Sequence, residues 1–151
     1  KEPQSMRTKL ADLGIEDRKK YLFFNFWEQQ LLGPGRRLDF DLPPGSCKVF
    51  FLRPVSTEPI WIGTDRHATG AIGLTAFTYD QESATLEGQC VGPPNTEQCH
   101  FVYMPAGMMA VSSEGASYEV PQYRLLKVEV RFDDSGARRW TVQLQSGHKV
   151  L

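Results

Sequence analysis

The chain has 151 residues, 40% of them hydrophobic and 23% charged, which is enough apolar content for a folded core and too much for a disordered tail. Seventeen basic and 18 acidic residues leave a formal net charge of -1 with both signs interspersed, and this excludes the basic stripe that nucleic-acid binding requires. The longest apolar run, Tyr21 to Trp27, is interrupted by Asn25 and falls far short of the ~20 residues that cross a bilayer, so no membrane span is predicted.

Residues 1–19 read as an N-terminal lead-in, with Ser5 to Gly14 irregular or a single helical turn ended by Gly14. A first antiparallel strand set is predicted over 20–55. Lys20 to Trp27 alternates partly, is loaded with Tyr, Phe and Trp, and reads as a strand buried on much of both faces. Leu31 to Gly35 turns the chain, and Leu38 to Leu42 follows with the period-two alternation of a half-exposed strand. After the Pro43-Pro44-Gly45 turn, Cys47 to Arg53 forms a third strand with Cys47 packed inside it, completing a meander.

Pro54 to Pro59 marks a seam, and a second strand set over 56–151 is predicted to join the first in one β module. Its strands are Ile60 to Ile62, Ile72 to Tyr79, Ala84 to Val91, Cys99 to Met104, Gly107 to Ser112, Arg124 to Phe132 and Arg138 to Leu144. Turn chemistry falls between them at Tyr79 to Ser83, Pro105 to Gly107 and Asp133 to Gly136. Short strands at this spacing, without an amphipathic helix of useful length, predict an all-β antiparallel sandwich, with two small packed β-subdomains as the alternative.

Three cysteines without Cys-x-x-Cys spacing and three scattered histidines predict no metal site, and no motif calls for a cofactor. Cys90 and Cys99 bracket a Gly-Pro-Pro-Asn loop that could fold back as a hairpin and close a disulfide; two buried thiols are the alternative.

The most distinctive stretch is Pro59 to His67, an apolar run that breaks at Gly63 and delivers Thr64, Asp65, Arg66 and His67 in succession. A histidine near a carboxylate can do acid–base chemistry. Adjacent strand residues point to opposite faces, however, and a corner that ties down backbone groups needs the same residue types. The corner is the preferred reading. Ligand contact through Trp61, Asp65, Arg66 and His67 is the second, with Trp61 favoured among Trp27, Trp61 and Trp140 as a stacking surface for sugars. Asp39 with Asp41 and Asp133 with Asp134 are the carboxylate pairs, on a wet strand face and in a turn, where neither suits a general acid. No nucleophile elbow or phosphate loop is present, so no catalytic residue is assigned.

The strings Lys20-Tyr21-Leu22-Phe23-Phe24-Asn25-Phe26-Trp27, Leu32-Gly33, Leu42-Pro43-Pro44-Gly45-Ser46-Cys47 and Leu52-Arg53-Pro54 resemble the C-terminal β-domain of bacterial α-galactosidase-like glycosidases. Ile62-Gly63-Thr64-Asp65-Arg66-His67 is similar to that family's Leu-Gly-Thr-x-Arg-His, and Trp140-Thr141-Val142 to its final tryptophan strand. The resemblance runs from about Leu10 to Leu144; the segment around Cys90 and Cys99 departs from it. It implies a non-catalytic accessory β-sandwich domain of a secreted or periplasmic glycoside hydrolase. The partner it implies is the (β/α)8 barrel of the same polypeptide, which carries the catalytic residues, with carbohydrate as a further contact. With Lys1 as first residue, the chain is then expected to be a piece of a longer one. Such a module is expected to present an apolar flank, with Leu31, Leu32 and the first aromatic strand as candidates. A free-standing carbohydrate- or peptide-binding protein is the competing reading.

Overall fold

The computed structural model describes residues 2–16, 18–66 and 73–146. The described residues are almost entirely β, and the chain divides into two compact units, Lys1–Val55 and Ser56–Leu151.

In the first unit β1 (Gln4–Lys9) leads through a 3-10 turn (Leu10–Leu13) to β2 (Tyr21–Asn25), β3 (Gln30–Gly35), β4 (Arg37–Leu42) and β5 (Phe50–Pro54). The turn ends at Gly14, whose φ of 74° lets its N–H reach the carbonyls of Leu10 and Ala11. Sheet order is β3-β2-β5, with β1 and β4 paired in a separate two-stranded ribbon. This corrects two expectations. The lead-in is a strand, because β4 offers it a ladder in which Met6 lies opposite Phe40 and Thr8 opposite Leu38. The meander is broken, because β4 leaves the sheet and β5 returns to the far edge of β2.

Leu31 to Gly35 is likewise strand and not turn. Gly33 adopts φ 100°, where a Cβ would sit 2.9 Å from the Tyr21 carbonyl oxygen, so the glycine permits a bulged pairing with β2. β2 is buried along its whole length, as its aromatic load predicts. Tyr21 and Phe23 pack with Leu10 and Leu38, while Phe24 stacks on Phe51 at 6.4 Å. Leu31 is also buried and Leu32 is half-buried, so these expected flank residues present no open apolar surface; among the described residues of this unit the exposed large apolar side chains are Leu13, Trp27 and Val55.

The second unit contains β6 (Ile60–Thr64), β7 (Leu74–Asp80), β8 (Thr85–Val91), β9 (Glu97–Tyr103), β10 (Met108–Glu114), β11 (Ser117–Gln122), β12 (Leu125–Arg131) and β13 (Ala137–Ser146). They form two antiparallel four-stranded sheets, β10-β13-β8-β7 and β11-β12-β9-β6. Leu86, Cys90, Trp140, Val142 and Leu144 of the first sheet meet Val102, Leu126, Val128 and Val130 of the second in one core. This is the antiparallel sandwich that the strand pattern predicts. β11 is the strand the pattern misses. Pro121 interrupts it and the register slips between Glu119 and Gln122, which only an edge strand tolerates.

The cysteine hairpin does not form. β8 and β9 belong to opposite sheets, and all three thiols are free. Cys90 lies within the sandwich core, whereas Cys99 alternates with the core-facing Val102 and so points out of it. Burial pushes the Cys90 thiol up to about 11 and the Cys99 thiol up to about 12. Cys47 is exposed in the loop before β5, not packed inside a strand, because the β2 ladder runs out where Asn25 meets Phe50. Iodoacetamide at about pH 8 is therefore expected to add one label to the native protein, at Cys47, and three after denaturation. Labelling of Cys90 or Cys99 at the rate of Cys47 in the native protein would contradict this arrangement.

Candidate functional site

β6 carries a bulge between Trp61 and Gly63, and the strand ends at Thr64 as the chain bends through Asp65 and Arg66. These three residues close on the start of β9. Asp65 Oδ1 accepts the Cys99 N–H at 2.8 Å, and the Asp65 N–H donates to the Cys99 carbonyl at 3.3 Å. Thr64 Oγ1 accepts the Arg66 N–H at 3.3 Å and the Gln98 amide at 3.2 Å. The Arg66 guanidinium donates to the Glu97 carbonyl, and the Glu97 carboxylate pairs with Arg131 of β12. Thr64, Asp65 and Arg66 thus act as struts for three successive residues of one strand, with the Asp65 carboxylate spent on the Cys99 N–H.

Of the predicted ligand set, Asp65 and Arg66 are brought together, and His67 lies outside the described residues. Trp61 is only 7% exposed and offers no ring face for stacking. The ladder is the reason: Trp61 lies opposite Val102, a residue of the sandwich core, and so faces inward, while Ile62, the extra residue of the bulge, is buried as well. A cleft of about 490 Å3 lies beside the clamp, bordered by Arg66, Gly73, Gly92, Thr96, Gln98 and Phe132. Its described polar groups are a guanidinium, a hydroxyl and an amide, which can bind but include no nucleophile with a base beside it.

His100 is a buried residue that the pattern of the site does not announce. It is fully buried on the core side of β9, with its ring stacked on Trp140 at 6.1 Å and neither ring nitrogen hydrogen-bonded. Burial pushes its pKa down to about 4, against an opposing pull from Asp65. A neutral imidazole closed off from solvent cannot act on a substrate.

The carboxylate pairs are engaged or exposed. Asp39 pairs with Arg37 at 2.6 Å, and Asp133 is held below the usual carboxylate range by the Ser135 hydroxyl and backbone N–H, with Arg138 adding to the effect. Among the described residues no group of three His, Cys, Asp or Glu side chains is placed to hold a metal ion. No described helix is long and apolar enough to cross a membrane.

The exposed indole is Trp27, 59% accessible on the turn between β2 and β3; Trp140 is 1% exposed. Asn25 Oδ1 accepts the Glu28 N–H at 3.4 Å, Phe26 meets the Trp27 ring edge-on at 4.7 Å, and Lys48 pairs with Glu28 at 2.6 Å. The turn is therefore anchored on both sides of an indole that faces water. Tyr123, 76% exposed beside the Arg124 guanidinium at 5.4 Å, is the other open ring. Compared with protein-family models, curated proteins and solved structures, the chain matches none.

Proposed function

We propose that the chain is a non-catalytic accessory β-sandwich domain of an α-galactosidase-like glycoside hydrolase. In this reading it supports the catalytic barrel of the same polypeptide, outside the cell or in the periplasm, and contacts carbohydrate. The clamp on β9 is the observation that carries it: the Thr64-Asp65-Arg66 run that first suggests reactive chemistry spends its polar atoms on backbone groups of Glu97 and Cys99 and on the Gln98 side chain. Carbohydrate contact passes from buried Trp61 to Trp27, whose ring is accessible and held by its neighbours.

A free-standing binding protein is the second reading, favoured by the same exposed indole and by the cleft beside Arg66. Expression of the barrel from the parent reading frame with and without this chain separates the two. The accessory reading expects the barrel alone to lose several degrees of melting temperature and the isolated chain to leave chromogenic α- and β-galactosides intact. A barrel equally stable and active without the chain would overturn it, as would glycoside turnover by the chain alone. Calorimetry against galacto-oligosaccharides, with Trp27→Ala as control, tests the carbohydrate contact; no binding, or binding untouched by the substitution, removes Trp27 from it.

A further inference from the structure

The charged face of the β1–β4 ribbon is uneven along its length. Ser5 lies opposite Asp41 and Arg7 opposite Asp39, but Lys9 lies opposite Arg37. Like charges directly opposed on a ladder destabilise it. Here the conflict is left standing in a chain with enough acidic residues to relieve it.

Arg36 adds a third cation at the same place. Its carbonyl accepts the Leu10 N–H at 3.1 Å, and its guanidinium donates to the Arg18 carbonyl at 3.2 Å, which fixes it beside the end of β1. Arg37 grips Asp39 Oδ2 through Nε at 2.8 Å and Nη2 at 2.6 Å, so its guanidinium is oriented in advance. Lys9 has no ion-pair or hydrogen-bond partner among the described residues. The three cations border a cleft of about 500 Å3 whose remaining lining is Ala11, Gly35 and Asp39. Among the described lining residues, one carboxylate against three cations leaves an excess of two positive charges. Ala11 and Gly35 offer a methyl and bare backbone, so a ligand can approach closely. All of these residues belong to the first unit.

We propose that this cleft binds a small oxyanion-bearing ligand, an acid of monosaccharide or disaccharide size whose carboxylate or sulfate sits between Lys9 and Arg36. Lys9 supplies a mobile point charge and the Arg36 guanidinium a planar fork matched to paired oxygens, while Arg37, held by Asp39, adds positive charge at the border. The volume falls in the range of small-molecule sites. The patch is local in a chain of net charge -1, which favours a small acid over a long polyanion. This site is separate from Trp27; its preference for an oxyanion rests on the cations alone, and only the choice of sugar acids as ligands rests on the glycosidase reading.

The test is calorimetry with D-galacturonate, galactose 6-sulfate and neutral D-galactose, each in about 20 mM and about 200 mM NaCl. At least one acid is expected to bind at least about tenfold more tightly than galactose and to weaken with salt. The tighter acid identifies the source of the oxyanion. Lys9→Glu, at an exposed position whose ammonium has no partner among the described residues, and the double variant Lys9→Met/Arg36→Met are expected to lose binding, while Lys9→Arg retains it. Unchanged melting temperatures show that the variants fold. The site is overturned if galactose binds as tightly as the acids, if Lys9→Glu binds them like the parent, or if neither acid binds at about 10 mM.

Discussion

Gly88→Ala and Trp140→Ala are each expected to cost the second unit about 3 kcal/mol or more, and the double variant much less than their sum. In the ladder between β8 and β13 the two residues are direct partners. A Cβ built on Gly88 would lie 2.2 Å from Cε2 and Cζ2 of the Trp140 ring, so the glycine is the floor on which the indole rests. The ring is also enclosed by Phe77 at 6.3 Å and His100 at 6.1 Å, and has no free direction in which to yield. Trp140→Ala empties the centre of the sandwich, whereas Gly88→Ala overfills it. Once the ring is gone the added methyl meets no obstacle, so the two changes are coupled. Denaturant unfolding followed by far-ultraviolet circular dichroism measures all four corners of the cycle. Additivity within about 0.5 kcal/mol would show that the ring does not rest on Gly88.

The second large effect is acid sensitivity at His100. Its folded pKa of about 4 lies below the ordinary value of 6.5, so the unfolded chain takes up a proton that the folded one refuses between these values. The contribution of neutral His100 is complete above about pH 6.5 and is lost as the pH falls towards 4, by about 3 kcal/mol in all. Geometry supports the same sign: the ring is enclosed by Trp140 and faces Val128 across the ladder. The charged groups next to Val128 in sequence, Lys127 and Glu129, alternate to the opposite face, and Asp65 is the acid whose charge reaches the ring. His100→Leu has no hydrogen bond to break at either nitrogen. The gap in unfolding free energy between variant and parent is expected to widen by about 3 kcal/mol from pH 7 to pH 4. A gap that stays constant over that range would remove His100 as the sensor.

Where alternation is clean the sequence shows the fold: β4, β8, β12 and β13 can be read from period-two patterning and the Asp133 to Gly136 turn. It misleads where long-range pairing overrides local composition. Gln4 to Lys9 has almost no apolar face and becomes a strand through β4, and the Gly33-Pro34 turn signal is absorbed into a bulged strand. Which strands share a sheet decides the cysteines, and no local feature announces that β8 and β9 part company. At the candidate site, the corner made by Thr64 to Arg66 was legible because such side chains suit backbone capping. The burial of Trp61 was not, because it depends on the long-range pairing of β6 with β9, which sets Trp61 opposite core-facing Val102. Trp27 belonged to the aromatic string of β2, and only the early end of that strand at Asn25 places it in solvent.

The crossing from β8 to β9 also orders events in time. β8 has β7 as its early partner and β9 has β6, but each keeps an open inner edge until β12 and β13 arrive to fill it. Those two strands are the last of the described residues to emerge during synthesis, and they bring Trp140, Val128 and Val130 with them. Until then the nascent unit has the β7–β8 hairpin and the non-local β6–β9 pair, each with an unsatisfied inner edge, the condition in which β-rich chains are most exposed to wrong partners. In this topology both sheets lack their inner strand, and the common core lacks Trp140, Val128 and Val130, until the last two described strands are in place.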